Sequence, residues 1–383
     1  MRWIPLAAVV IAAALPTAAR ADTVVAVGDS AISGEAGRWA GNSNQSASKT
    51  DALGAGAYND AGGAESTPGC HRSKSAEVHI GDGIKSVNLA CSGARTYSRT
   101  SDGKWKPGLD FAVSGANKGQ ARMLEDLART DADIKAVVVL IGANDYGFAD
   151  ILETCVTNWI TSPSWWKNYC HDDASMKTMF SSANITAITS NVRAAFARIK
   201  QAMANAGYSE SRYEVLAQTY SAPLPLSGGM RYPESGWSRQ SVGGCGAWNA
   251  DLNWARSTVV ETLNASVKNA VAGMSNVQVL DAEGALYGRR LCENTVGTLE
   301  EKGVATWQSP GAVDKTEWVH QIRTTSTIFG PYQLQEDGHP NYWGQLALRN
   351  CFRQAYSGGV PHGGACARGS GQNAKGEPNM SLQ

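Results

Sequence analysis

The sequence predicts an α/β fold, a flavodoxin-like three-layer α/β/α sandwich built on a five-stranded parallel sheet and edged by long disulfide-stapled loops. Three observations carry this expectation. Short β-like apolar runs alternate with amphipathic helical segments, the pattern of parallel βαβ units covered on both faces. Residues able to do chemistry follow directly on several of the runs, where ligands bind in open α/β sheets. Eight cysteines, an even number, are spread between the periodic segments.

The first strand candidate is Thr23 to Val27, a continuous apolar stretch ending at Gly28. Lys85 to Ala90, Ala136 to Ile141, Tyr213 to Gln218 and Val277 to Asp281 complete the five. Helices are predicted over Gln120 to Ala128, Ile185 to Ala206, Asn249 to Val271 and Tyr342 to Tyr356. In the second of these, Val192, Phe196, Ile199 and Met203 recur at spacings of three and four and build one apolar face. Between them lie long polar insertions at 41–69, 96–119, 149–182 and 221–246. Aperiodic segments of such length are functional rims or disordered stretches, and cysteines within or beside them favour rims.

Arg2, the apolar run Ile4 to Leu15 and the small-residue pattern Ala19-Arg20-Ala21 have the layout of a secretory leader, so residues 1–21 are expected to be a signal peptide. The run is too short for a stable membrane span. Residues 22–367 are expected to form one domain, and the Gly-, Asn- and Ser-rich 368–383 a flexible tail. Export to an extracellular, oxidising compartment agrees with a fully paired set of cysteines. Nearest-neighbour pairing joins Cys70 to Cys91, Cys155 to Cys170, Cys245 to Cys292 and Cys351 to Cys366, one of many connectivities that eight cysteines allow. The chain has no Cys-x-x-Cys and no His-x-x-x-His, so neither a metal nor another cofactor is expected. With 34 basic and 34 acidic residues it carries no electrostatic footprint for nucleic acid or an anionic membrane. A monomer is expected.

Four segments carry chemistry. Gly28-Asp29-Ser30 follows the first strand, Ser92-Gly93 the second and Gly142-Ala143-Asn144-Asp145 the third, while His339-Pro340-Asn341 precedes the last helix. A serine hydroxyl is a weak nucleophile and needs a base to take its proton. His339 is the candidate, because imidazole titrates near neutrality and can return that proton to a leaving alcohol. The oxyanion formed on attack needs preorganised donors. The backbone N–H groups of Ser30 and Gly93 and the side-chain amide of Asn144 are candidates. A third group should orient His339: Glu336 is favoured, Asp337 is the alternative carboxylate, and a backbone carbonyl of that turn could replace both. Each motif alone has an ordinary reading as a turn, a helix cap or a loop. Their order and their position at strand ends point together to acyl transfer. The Gly-x-Ser-x-Gly signature of α/β-hydrolases is absent.

These four blocks resemble those of the SGNH hydrolases, the GDSL-type esterases and lipases, and in particular the secreted actinobacterial kind. The similarity extends to Cys70-His71-Arg72-Ser73, Gly243-Gly244-Cys245 and Gly344-Gln345-Leu346-Ala347, and so spans most of the chain. It implies the SGNH hydrolase fold, Ser30 as nucleophile and His339 as base. Gly93 and Asn144 would belong to the oxyanion hole. Two departures stand out. Ala31-Ile32 follows the serine where the short family motif has leucine, and Glu336 stands three residues before the histidine where the family has aspartate.

The expected function is therefore a secreted serine carboxylic ester hydrolase, an esterase or lipase acting on small-molecule or lipid esters. Two alternatives use the same scaffold: a carbohydrate O-deacetylase acting on an acylated glycan, and a glycan-binding protein without turnover. Trp159, Trp165 and Trp166 lie in the insertion after Asn144 and are candidates for a substrate rim, with packing of the Cys155–Cys170 loop as the competing role.

Overall fold

The computed structural model describes residues 21–323 and 331–383; the expected signal peptide lies, but for its last residue, outside the described residues. Strands β1 (Thr23–Gly28), β2 (Lys85–Asn88), β3 (Ile134–Leu140), β4 (Glu214–Gln218) and β5 (Val277–Asp281) occupy the five anticipated positions. They pair in parallel, with β1 held between β2 and β3, and β4 and β5 following outward. Every residue of β1 is buried, as a strand covered on both faces requires.

Among the described residues the sheet has seven strands, not five. β6 (Gly364–Gln372) pairs in parallel with β5 through Gly364 and Ala365, and β7 (Pro378–Leu382) returns antiparallel beside it, giving the order β2-β1-β3-β4-β5-β6-β7. The segment 368–383, expected to be a flexible tail, is thus mostly sheet. Long-range ties hold it: the Cys351–Cys366 disulfide at its start and the buried Glu377 carboxylate on the Arg353 guanidinium.

Helix α1 (Ser30–Ser33) follows β1 at once; α2 (Gln120–Thr130), α3 (Phe148–Thr161), α4 (Ser182–Asn205), α5 (Glu261–Val271) and α6 (Tyr342–Ala355) complete the layers that position the site. α4 packs between α2 and α5, and α6 lies against β6 and β7. The core-facing residues of α4 include Val192, Phe196, Ile199 and Met203, the stripe read from the sequence. The stretch preceding α5 is continuous helix from Asn249, with a π-helical segment at Ala255–Val260. α3 was not anticipated: it lies in the supposed insertion 149–182, although Ile151, Cys155, Val156 and Trp159 bury one of its faces. The four disulfides join the nearest-neighbour pairs, and the described residues contain no unpaired cysteine. Each loop closure removes about 3 kcal/mol or more of unfolded-chain entropy in the simplest model.

Candidate active site

Ser30 is positioned by what β1 does at its end. Gly28 has φ +143°, and a Cβ there would sit 2.0 Å from the Leu140 carbonyl oxygen, so only glycine lets β1 leave the sheet this close to β3. The Gln120 side chain fixes both peptides of Gly28, accepting from its N–H at 2.6 Å and donating to its carbonyl at 2.8 Å. Asp29 then caps α1, its carboxylate accepting from the Ala31 N–H at 3.2 Å and from the Tyr220 hydroxyl at 2.5 Å. Burial pushes the Asp29 carboxyl up to about 7 against those two bonds. Ser30 is left as the first residue of the helical turn.

His339 comes from the opposite end of the chain, in the turn before α6. Its Nε2 lies 2.6 Å from Ser30 Oγ, and its Nδ1 lies 3.1 Å from the backbone carbonyl oxygen of Asp337. That pairing makes Nδ1 the proton-bearing nitrogen and leaves Nε2 to accept from the serine. The ring meets Phe148 edge to face at 6.2 Å. Asn341, two residues on, caps α6 by accepting from the N–H groups of Trp343 and Gly344 at 3.0 and 3.3 Å.

The expected Glu336 carboxylate partner is not met. Glu336 is buried and accepts from the Tyr58 hydroxyl at 2.6 Å and the Gln333 N–H at 2.9 Å, and neither it nor the Asp337 carboxylate is hydrogen-bonded to His339. Asp337 accepts instead from the Arg323 N–H at 3.0 Å, and burial pushes its carboxyl up to about 8. The main chain of Asp337, not a side chain, orients the imidazole. Consequently Glu336→Gln, which keeps an oxygen for Tyr58, should leave kcat for p-nitrophenyl acetate within about tenfold, where loss of a triad carboxylate costs about 10⁴-fold. A loss of a thousandfold in steady-state rates would assign Glu336 a direct role.

The three candidate oxyanion donors each follow a strand end. The Asn144 amide donates one hydrogen to the Ala94 carbonyl at 2.9 Å, which leaves its second N–H free for a ligand. Asp145 holds the facing loop by accepting from the Thr96 hydroxyl at 2.6 Å and from the Thr96 N–H at 3.1 Å. The backbone N–H groups of Ser30 and Gly93 have no acceptor among the described residues. Ser30, Asn144 and His339 share one cavity of about 50 Å³, lined also by Tyr220, Leu263 and Val319; Gly93 is not in its lining.

Two features were not read from the sequence. Tyr220, just past β4, donates to Asp29 and accepts from the Ala143 N–H at 3.0 Å, tying two strand ends together; its position at a strand end was the available signal. Beneath the site Glu35 and His71 form a buried pair at 2.7 Å, with Tyr58 stacked on His71 at 4.7 Å. Burial alone would raise the Glu35 carboxyl, but His71 and His339 hold it below its ordinary value. No local signal marks that pairing. Of the rim candidates, Trp159 is buried, while Trp165 and Trp166 are 81% and 74% exposed. Among the described residues no cluster of side chains is arranged to hold a metal ion.

Strands β1–β5 run parallel in flavodoxin-like order, and a serine–histidine pair stands at their carboxyl rim. No protein-family model and no curated protein matches the chain. Among solved structures it is similar to an extracellular lipase from Streptomyces rimosus (18% identity over 85% of this chain and 95% of that one, TM-score 0.43). It is also similar to a family two carbohydrate esterase from Clostridium thermocellum in complex with cellohexaose (10%, 88% and 63%, 0.35), and to an M. smegmatis aryl esterase (11%, 73% and 91%, 0.30).

Proposed function

We propose that the chain is a secreted serine ester hydrolase of the SGNH kind, acting without a metal. The observation that carries this reading is the 2.6 Å contact between Ser30 Oγ and His339 Nε2, with His339 Nδ1 on a main-chain carbonyl. His339 takes the serine proton as Oγ bonds to the substrate's carbonyl carbon. The oxyanion meets the N–H groups of Ser30 and Gly93 and the free amide hydrogen of Asn144. The C–O bond to the alcohol then breaks, and the alcohol leaves with the proton from His339. Water attacks the acyl-enzyme with His339 again as base, releasing the acid and restoring Ser30. Four disulfides and an apolar leader-like start support export, and among the described residues no helix is long and apolar enough to cross a membrane.

A fluorophosphonate probe tests this reading, because it phosphonylates an activated serine, Oγ bonding to phosphorus as fluoride leaves. Ser30 should be labelled, and the labelling rate should follow the fraction of neutral His339. Burial lowers the His339 pKa from about 6.5, against the Glu35 carboxylate and the Asp337 carbonyl. A base is active in its neutral form, so the rate should be flat through neutrality and fall only below pH 6.5. A chain that is folded yet takes no label at Ser30 would be a binding protein on this scaffold.

A further inference from the structure

A buried carboxylate stands one turn beyond the nucleophile. The Glu35 N–H donates to the Ser30 carbonyl at 3.1 Å, and the whole residue is shut away from solvent. Its Oε1 lies 2.7 Å from His71 Nδ1; its Oε2 is buried with no hydrogen-bond partner among the described residues, the Ser92 side chain nearby favouring the charged form. On the other side of the imidazole, His71 Nε2 stands 3.5 Å from Glu65. Burial disfavours a charge on His71, yet the two carboxylates outweigh it and raise its pKa, so the pair is a carboxylate and an imidazolium. This layer is fastened to every reacting segment. Ser33 Oγ donates to the Ser30 carbonyl at 2.9 Å and reaches the His71 carbonyl at 3.3 Å. The Ser92 N–H, beside Gly93, donates to the Cys70 carbonyl at 3.0 Å. Tyr58 stacks on His71 and donates to Glu336 at 2.6 Å, and the Glu336 carbonyl in turn accepts from the His339 N–H at 3.3 Å.

Stability alone does not call for this charge. A buried ion pair gains little over apolar packing of the same volume, and a carboxylate oxygen left unbonded adds a desolvation cost. The reaction does call for it. His339 becomes an imidazolium as it takes the Ser30 proton, and its Nδ1 rests on the neutral Asp337 carbonyl. A fixed negative charge in a buried layer stabilises that cation without touching it, because little water screens the field. The other charged groups facing the layer are accounted for. Lys106 is buried beside it with Nζ 2.6 Å from the Gly69 carbonyl. Glu336 and Asp337 approach from the His339 turn, where burial raises both carboxyls and so weakens their charge near neutrality. His320 is kept neutral by burial. On His339 itself burial lowers the pKa, the Glu35 charge opposes it, and the His71 cation acts more weakly in the direction of burial.

Resting on the serine-hydrolase reading above, we infer that Glu35 is a positioning residue of the reaction: held by His71, it supplies through space the negative charge that His339 lacks in contact. Glu35→Gln keeps the size and an oxygen for His71 and removes the charge. With p-nitrophenyl acetate its kcat at pH 8 should fall at least about tenfold, short of the loss of about 10²–10³-fold that a donor in contact with the oxyanion costs, and KM should stay within about threefold. Glu35 favours the imidazolium, so without it His339 gives up its proton at lower pH. The variant should therefore keep a larger share of its plateau kcat/KM at pH 5 than the intact chain does. Misplacement of Ser30 alone would cut kcat and leave the pH profile where it was. Glu35→Asp retains the charge and should return the profile toward that of the intact chain, which separates a lost charge from a packing defect. A second measurement needs no turnover. Followed by NMR in the Ser30→Ala protein, the His339 ring should titrate at lower pH once Glu35→Gln is added. An active chain in which neither the profile nor the titration moves overturns the inference. A titration that moves in a chain inert to esters and to the fluorophosphonate would support the coupling of Glu35 to His339 and count against the hydrolase reading alone.

Discussion

With Ser30 replaced by alanine, kcat for p-nitrophenyl acetate falls by at least about 10⁴-fold, and His339→Ala gives a loss of the same order. The size follows from roles that act as a unit. Without Oγ no acyl-enzyme forms, and without Nε2 the hydroxyl keeps its proton, so either change abolishes the same step; in a well-studied serine protease each costs about 10⁶-fold. A smaller floor is set here because the group on His339 Nδ1 is a neutral main-chain carbonyl, which stabilises the imidazolium less than a carboxylate does. For the same reason the double variant should lose no more than about threefold beyond the worse single one. Neither change disturbs the fold at large. Ser33 and Glu35 bond to the Ser30 backbone and not to its side chain, so α1 survives the loss of Oγ. Initial rates together with thermal melts check this. A folded Ser30→Ala protein that keeps more than about one per cent of the rate would remove the serine mechanism.

How much of this was legible depends on whether the determinant is local. Buried parallel strands read as apolar runs because both of their faces are covered, and Val24 to Val27 and Val137 to Leu140 are such runs. The C-terminal hairpin has no such signature. Gly364–Gln372 is rich in glycine and polar residues, and partners far away in the chain make it a strand: the β5 edge, Cys351 and the Arg353–Glu377 pair. α3 did carry a helical period, diluted by Thr154, Thr157, Asn158 and Thr161, residues of ordinary loops. Ser30 and Asn144 were legible since each sits within a few residues of a strand end that the sequence itself marks. The orienting group was not. Choosing among Glu336, Asp337 and a carbonyl depends on the fold of the turn Leu334–Glu336, and on Tyr58, 278 residues away, taking up the Glu336 carboxylate. The Glu35–His71 pair is hidden by the same kind of distance: it exists only because α1 and the Cys70–Cys91 loop pack against one another.

Asn144→Ala should lower kcat by about 10²–10³-fold with little change in KM, the cost of removing one preorganised donor to an oxyanion. The geometry explains why this amide should serve the transition state more than the ground state. One of its hydrogens is committed to the Ala94 carbonyl at 2.9 Å, so the group is held before substrate arrives and the second hydrogen needs no reorganisation to meet developing charge. A ground-state ester carbonyl carries little charge and gains little from it, which places the loss in kcat. The Ala94 carbonyl loses its partner in the variant, a cost of about 1 kcal/mol that a melt would report separately from activity. Asn144→Asp sharpens the test. An aspartate is nearly isosteric but acceptor-only when ionised, so it would face both the Ala94 carbonyl and the oxyanion with like charge. It should fall below the alanine variant in kcat at neutral pH and recover relative to it as the pH is lowered. If both variants lost KM and kept kcat, Asn144 would be binding the ground state, and the oxyanion would rest on the backbone N–H groups of Ser30 and Gly93 alone.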